Sequence, residues 1–162
     1  MKPRIAIFAL ILAATAALAQ SNAKKEFDQI RALQGEWVGK TPQGMDVAVG
    51  FRETAGGSAI LSEIRGHGPE NMVSMIHMDN DRLMMTHYCG AGNQPRMVAS
   101  SSPDGKSITF TFIDATNLAS PKAGHMEKVV FTMPDADHHI EEWTFIQDGK
   151  VSKEIFDLHR KV

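Results

Sequence analysis

Ten short segments of alternating polar and apolar residues, each bounded by turn-forming residues, constrain the fold of this chain more than any other feature. The turns at residues 79–81, 103–105 and 148–149 contain Asn, Asp or Gly, which accept the backbone conformations that tight hairpins need. The segments recur at a spacing typical of antiparallel all-β proteins. The predicted strands are residues 37–40, 45–52, 59–65, 72–78, 83–89, 96–101, 108–113, 127–133, 139–146 and 151–159.

One helix is expected before these strands. Phe27, Ile30 and Leu33 recur at three-residue steps within residues 22–33 and therefore share one face, and Gly35 ends the helix. An open sheet of this size would leave two exposed edges, which closure into a barrel removes. We therefore predict an all-β single domain, an antiparallel barrel of about ten strands with the short N-terminal helix covering one end.

The segment Gly35-Glu36-Trp37 lies where the helix gives way to the first strand. A Gly-x-Trp at this place, followed by antiparallel strands, resembles the opening of lipocalin-like (calycin) β-barrels. In that family the tryptophan plugs one end of the barrel, and the other end opens to a small-molecule cavity. A C-terminal arginine lies across the tryptophan, which implies a structural cation–π contact between Arg160 and Trp37.

A second resemblance covers residues 86–97, which are similar to a stretch found in exported bacterial lipocalin-like proteins of uncharacterised function. The two stretches together imply the barrel fold and export for the mature chain. They imply no reaction, because that family has none assigned.

The first 19 residues have the composition of a cleaved secretory leader. Lys2 and Arg4 precede an apolar run over residues 5–18, and residues 17–19 form an Ala-x-Ala cleavage signal. The run of about 14 apolar residues is shorter than the ~20 that cross a bilayer, so we expect no transmembrane span. We predict a periplasmic or secreted protein whose barrel domain is residues 20–162.

Charge and cysteine content exclude further classes of protein. Without residues 1–19 the chain has 15 basic and 19 acidic side chains, a net charge of −4 with neutral histidines. A mildly acidic chain without a block of basic residues is not expected to bind nucleic acid. Cys89 is the single cysteine, so a monomer has no internal disulfide. None of these features determines the oligomeric state.

The last hairpin can be assigned an inner face. Pairing across residues 148–149 sets Trp143 opposite Glu154, and the face with most aromatic side chains is assigned to the interior. Its members are His139, Glu141, Trp143, Phe145, Ser152, Glu154, Phe156 and Leu158. Glu141 and Glu154 then point inward, which costs free energy unless a wet cavity provides partners or the acids lie near the rim in water.

The hairpin at Asn80 carries five of the ten methionines and provides a second inner face. Pairing across the turn sets Met78 opposite Leu83. The same face becomes polar toward the end of the second strand, where its members are Met85, His87 and Cys89. Tyr88 should point to the opposite face, and a register shift of one residue would exchange it for His87 and Cys89. Methionine-rich strands suit an adaptable apolar pocket and equally a plain core.

The loop within residues 86–97 is the densest set of functional side chains and is expected at one mouth of the barrel. Asn93 and Gln94 offer amide groups, and Arg96 can bind a carboxylate or phosphate bidentately. The alternative is that both amides satisfy loop backbone groups and that Arg96 pairs with a surface acid. For a ligand, we expect an anionic head at Arg96 and an apolar wall formed by Met78, Met85, His87 and Cys89.

His87 and Cys89 alternate by two and therefore share a face of one strand. A thiol beside an imidazole can be a nucleophile–base pair or two metal ligands. No third orienting group, oxyanion hole or second Cys/His pair at zinc spacing is recognisable in the sequence. We therefore favour Cys89 as a small buried hydrophobe with His87 hydrogen-bonded nearby.

Seven histidines raise the question of haem or a metal ion. Nitrobindin-like barrels belong to the same calycin-like group and hold haem through one histidine near the C-terminal strands. The resemblance makes His138, His139 and His159 the candidate ligands. The first two also follow the turn-like residues 134–137 and fit the start of a strand. No Cys-x-x-Cys-His attachment exists, so haem would be noncovalent.

Three classes of function remain. The favoured one is an exported, noncatalytic carrier or sensor that binds a small, largely apolar or amphipathic molecule in a barrel cavity. The second is noncovalent haem or metal binding through histidine. The third is an enzyme that acts on a bound lipid-like molecule through His87 or a buried acid. A purely structural role would instead predict a filled barrel with an exposed apolar patch.

Overall fold

A computed structural model of the protein describes residues 22–66, 68 and 71–162, and the predicted leader at residues 1–19 lies outside them. Helix α1 occupies residues 22–31. In the described part of the chain, no helix combines the length and the apolar character that crossing a membrane requires. The strands are β1 (Gly35–Lys40), β2 (Asp46–Thr54), β3 (Ala59–Arg65), β4 (Met72–Asp79), β5 (Arg82–Tyr88), β6 (Gln94–Ser101), β7 (Ser107–Thr116), β8 (His125–Asp135), β9 (His138–Gln147) and β10 (Lys150–Arg160), with a 3-10 turn at Ala55–Gly57.

The ten strands form one closed antiparallel meander. Each strand pairs with the next along the chain, and β1 closes the barrel by pairing with β10. This confirms the predicted all-β barrel of about ten strands with one short helix. Each predicted strand overlaps one observed strand, and the helix ends two residues earlier than predicted, in a turn at residues 32–33.

Helix α1 covers the end of the barrel where β1 begins. It buries one face in the barrel core, and the apolar members of that face and of the following turn are Ala23, Phe27, Ile30 and Leu33. Arg31 donates to the carbonyl of Gly57 at 3.1 Å, and Gln29 donates to the carbonyl of Gly105 at 2.8 Å. These bonds fix the helix to two loops of the same end, which we call the helix end.

Trp37 closes the helix end from inside. Its side chain is fully buried, and its Nε1 donates to the Leu33 carbonyl at 2.7 Å. Gly35 has a φ of +122°, which lets β1 begin only two residues after the turn at residues 32–33 that ends the helix. The Arg160 guanidinium lies 4.3 Å from the Trp37 ring centroid and donates to the Gln34 carbonyl at 2.7 Å. The predicted cation–π contact is therefore confirmed.

The predicted registers of both hairpins are also confirmed. Trp143 faces Glu154 in the β9–β10 pair, and Met78 faces Leu83 in the β4–β5 pair. The inward side chains pack as one core through the barrel, and the largest fully buried ones are Trp37, Trp143, Phe110, Phe131, Phe156, Ile30, Ile60, Ile76, Leu83, Met85, Met97 and Ile108. The interior at the helix end is therefore packed with side chains.

Candidate functional site

The end of the barrel opposite α1 is formed by the connections that follow β1, β3, β5, β7 and β9. We call it the mouth. Residues 89–93, which follow β5, and residues 117–124, which follow β7, lie side by side there. The loop of residues 86–97 is therefore at the mouth, as predicted, and Arg96 begins β6 at that end.

Asn93 and Gln94 hold the neighbouring loop at residues 117–124. Asn93 is buried, and its Nδ2 donates to the Gly124 carbonyl at 2.7 Å. Gln94 Oε1 accepts from Thr116 Oγ1 at 2.6 Å and from Asn117 Nδ2 at 3.1 Å. Asn93 thus satisfies a backbone carbonyl, as the second interpretation of this loop predicted, whereas Gln94 mainly contacts side chains and its Nε2 lies 3.4 Å from the Gly92 carbonyl.

Arg96 lies on the outer face of β6 and is paired with an acid of the same chain. Its Nε and Nη2 each donate to one carboxylate oxygen of Asp114 at 2.5 Å. This bidentate contact lowers the pKa of the Asp114 carboxyl. The structure does not bring Arg96 together with the inward-facing His87, and two N–H groups of its guanidinium already donate to Asp114.

His87 lies in the barrel interior and is fully buried. Its Nδ1 is 2.9 Å from the Ser74 hydroxyl, its ring centroid is 4.7 Å from that of Trp143, and its Nε2 has no hydrogen-bond partner among the described residues. Burial lowers the pKa of His87 to about 4, because the apolar surroundings disfavour the charged ring. The imidazole is therefore neutral at pH 7.

Cys89 is half-buried in the turn after β5, and burial raises the pKa of its thiol. A neutral His87 and a protonated Cys89 do not form the imidazolium–thiolate pair of a cysteine nucleophile. Tyr88 is 47% exposed on the opposite face, as strand alternation predicts. Met85 is fully buried and belongs to the barrel core. Met78 lies near the turn of the β4–β5 hairpin, close to the helix end.

Glu141 is fully buried in the interior with two partners on its own strand. One carboxylate oxygen lies 3.1 Å from His139 Nε2, and the other accepts a hydrogen bond from Trp143 Nε1 at 2.8 Å. The inward Glu141 therefore finds its partners in side chains of β9 and needs no wet cavity. Glu154, opposite Trp143, is half-buried, and its Oε2 has no partner among the described residues.

The three candidate haem or metal ligands separate onto two sides of the barrel wall. His139 points inward, with its ring centroid 4.3 Å from Trp37 and 5.7 Å from Phe51. These rings and the contact with Glu141 occupy the space beside it, so His139 fits a haem ligand poorly. His138 and His159 point outward and stack on each other with centroids 4.5 Å apart.

A cleft of about 980 Å³ opens at the mouth beside the end of β7, the start of β8 and the β9–β10 turn. We call it the mouth cleft. Ligand sites for small molecules typically have volumes of about 300–1,000 Å³ and mainly apolar walls. The apolar lining residues are Phe112, Ile113, Ala115, Leu118, Ala119, Pro121, Ala123 and Ile146, and the polar ones include His125, Glu127 and Gln147.

The cleft exists because β7 and β8 separate before they reach the mouth. Their pairing ends at Thr111 and Lys128, and the register between β6 and β7 shifts so that Ile113 has no partner residue in β6. Ile113 is consequently 44% exposed. A Cβ at Gly124 would lie 2.5 Å from Phe145 Cζ, so any other residue there would require the ring to shift.

His125 provides the main polar group at the base of the cleft. It is buried, and its ring centroid lies 4.5 Å from that of Phe112. Nδ1 is 2.8 Å from the Ala123 carbonyl, which can only accept, so Nδ1 carries the hydrogen. In the neutral ring Nε2 is then an acceptor, and it lies 3.4 Å from a carboxylate oxygen of Glu127.

The sequence pointed to the end of the barrel at which the mouth cleft lies, but not to the residues that line the cleft. The available signal was the pair Phe112-Ile113, two consecutive apolar residues that break the strand alternation. A second signal was the apolar pair Leu118-Ala119 in the loop that follows β7.

The crystal structure of Rv2717c from M. tuberculosis is among the solved structures with a similar fold. It superposes with a TM-score of 0.53 and 16% sequence identity, over 83% of this chain and 96% of that chain. At this identity the likeness is informative for the fold alone. No protein-family model matches the chain, and no curated protein matches it.

Proposed function

We propose that this chain is an exported, noncatalytic binding protein of lipocalin-like type that holds a small, largely apolar molecule in the mouth cleft. The observation that carries the proposal is the cleft itself, whose volume of about 980 Å³ and apolar wall suit one small molecule. Phe112, Ile113 and Leu118 supply that wall from a strand end and a loop. Burial of apolar surface would provide most of the affinity.

The polar side chains of the cleft indicate which kind of molecule would bind. The Glu127 carboxylate, which lies 3.4 Å from His125 Nε2, offers acceptor oxygens in the cleft, so a hydroxyl or amide N–H of the ligand would be recognised there. Glu127 and Asp148 add two negative charges to the lining against one positive charge from Lys122, and the nearby Arg96 is paired with Asp114. We therefore propose a neutral molecule with one hydrogen-bond donor, rather than the anionic head expected from the sequence.

Noncovalent haem binding is the alternative, and His87 is the observation in its favour. Its imidazole is buried and neutral, and Nε2 has no partner among the described residues, so it is chemically able to ligate iron. The Trp143 ring 4.7 Å away would have to move to admit a porphyrin. Titration with haemin decides between the two. A Soret band that shifts on binding and is lost in His87→Ala, but kept in His77→Ala, would favour haem.

Native mass spectrometry of the protein purified from its host tests the cleft proposal. We expect a complex heavier than the polypeptide by the mass of one small organic molecule. Ala123→Trp places an indole in the cleft and should abolish the adduct, whereas Ala136→Trp, in an exposed turn at the helix end, should keep it. An adduct that survives Ala123→Trp in a protein of unchanged thermal stability would contradict the proposal.

A further inference from the structure

We propose that His138, Asp157 and His159 form a binding site for a divalent transition-metal ion such as Zn²⁺ on the outer surface of the barrel. One ligand atom from each residue lies within 4.8 Å of the other two. His138 Nε2 is 2.8 Å from Asp157 Oδ1, and His159 Nε2 is 3.6 Å from the same oxygen. The three side chains therefore already converge on one point above the sheet.

The strand register brings these residues together. His138 and His159 are directly opposite each other in the β9–β10 pair, and Asp157 precedes His159 by two residues and so shares its outer face. The two imidazole rings stack with an interplanar angle of 17°. Because all three residues stand on paired strands, their backbone is already ordered before an ion binds, and only the side chains have to turn toward it.

The donor set suits a metal of the zinc type. Two imidazole nitrogens and one carboxylate oxygen are ligands that Zn²⁺ prefers, with bonds of about 2.0–2.2 Å. Ligand atoms of a tetrahedral site with such bonds are separated by about 3.4 Å, a value between the two separations measured here. Three protein ligands would leave the fourth position to water or to an added ligand.

Access and charge both favour binding at this place. The Asp157 and His159 side chains are 59% and 66% exposed, and a shallow cleft of about 530 Å³ lies beside them. The neighbouring cations have other partners. Lys40, opposite Asp157 in β1, pairs with Asp46, and the Arg160 guanidinium pairs with Asp137 and covers Trp37. Among the residues that the structure describes, no lysine or arginine forms an ion pair with the Asp157 carboxylate.

The site is independent of the mouth cleft. Its residues lie on the outer face of β9 and β10, close to the turn at residues 136–137 of the helix end. Asp157 and His159 line a different cleft and are not among the residues that line the mouth cleft. A metal ion here would therefore bind whether or not the cleft holds a molecule.

Isothermal titration of the chelator-treated protein with Zn²⁺ tests the proposal. We expect one ion per chain, and His138→Ala, Asp157→Ala and His159→Ala should each raise the Kd at least about tenfold, since even outer partners of metal ligands contribute about 10–100-fold. His77→Ala, which removes a histidine on the outer face of β4, should leave the Kd unchanged. Asp157 and His159 are exposed and His138 is partly exposed, so the variants should keep the fold, which circular dichroism checks.

A spectroscopic readout separates this site from other histidines. Zn²⁺ should shift the imidazole ¹⁵N resonances of His138 and His159 in the unaltered protein and leave those of His77 in place. Three results would overturn the proposal. The first is a Kd for Zn²⁺ in the three ligand variants that equals the Kd of the unaltered protein. The others are a Kd that rises as much in His77→Ala as in those variants, and Zn²⁺ binding without a shift at His138 and His159.

Discussion

The Ser74 hydroxyl lies 2.9 Å from His87 Nδ1 in the middle of an apolar barrel interior. Ser62 faces Ser74 across the β3–β4 pair, and Ser74 faces His87 across the β4–β5 pair, so the three buried side chains form one polar row. Neither Ser62 Oγ nor His87 Nε2 has a partner among the described residues. Because His87 is the titratable member of this row, we expect the stability of the barrel to depend on pH.

The free energy of unfolding should fall when the pH is lowered from about 6.5 to 4. The pKa of His87 is about 4 in the folded protein, below its ordinary value of 6.5. Between these values the unfolded chain binds a proton at His87 and the folded chain does not, so acid favours unfolding. The full effect corresponds to about 3 kcal/mol. Urea unfolding at several pH values, followed by circular dichroism, measures it.

The matched control for this pH dependence is His87→Asn, which can still bond Ser74 but does not titrate. Its unfolding free energy should depend less steeply on pH over the same interval. An unfolding free energy of the unaltered protein that is constant between pH 6.5 and 4 would contradict the assigned environment of His87.

Replacing the buried acid of β9 should destabilise the barrel strongly. Glu141→Ala leaves the Trp143 indole N–H and the His139 ring without their partner, at a cost of about 1–3 kcal/mol for each. Glu141→Gln keeps an acceptor for Trp143 and should lose less. Glu142→Ala, whose side chain pairs with Lys153 on the outer face, should change stability much less. Equal losses for Glu141→Ala and Glu142→Ala would show that the interior contacts contribute little.

Arg160 should be important for stability although it is polar and lies near the chain end. Arg160→Ala removes the contact with Trp37 and the hydrogen bonds to the carbonyls of Gln34 and Ala136, for an expected loss of about 2 kcal/mol. Arg82→Ala breaks an exposed pair with Asp79 and serves as the control. Thermal unfolding of the two variants compares them directly. A control that loses as much stability as Arg160→Ala would be inconsistent with this role.

Asn93 should control the mobility of the loop at residues 117–124. Asn93→Ala removes the hydrogen bond to the Gly124 carbonyl, so the loop should open more often and trypsin should cleave faster after the exposed Lys122. Asn71→Ala, which removes a longer, exposed bond to Glu63 at the same end, is the control. Identical cleavage rates in Asn93→Ala and the unaltered protein would mean that the loop is held by other contacts.

The fold could be predicted because its signals are local. Turn residues such as Asp148 and Gly149 set the hairpin register, and alternation then placed Trp143, Glu154 and His87 on the inner face. Gly35 and Trp37 marked the first strand, and closure followed from the need to avoid free edges. Strand ends were less accurate, because β7 continues to Thr116 through polar and small residues that carry no apolar pattern.

The site could be predicted only in part, because its contacts join distant parts of the chain. Asn93 was identified as a loop residue, but its partner Gly124 is 31 residues away and depends on where β7 and β8 separate. The ion pair between Arg96 and Asp114 could not be predicted from strand alternation either, because the register between β6 and β7 shifts next to Arg96. His138 and His159 were considered for haem individually, and only the strand register places both beside Asp157.

The most direct test of the proposed binding function is an amide ¹H–¹⁵N spectrum recorded while the neutral apolar dye N-phenyl-1-naphthylamine is added. The proposal predicts progressive, saturable shifts at Ile113, Leu118, His125 and Ile146, which line the mouth cleft. The same dye should produce no such shifts in Ala123→Trp. Saturable shifts confined to residues outside the mouth cleft would contradict the proposal. The absence of any shift at dye concentrations that saturate known apolar sites would also contradict it.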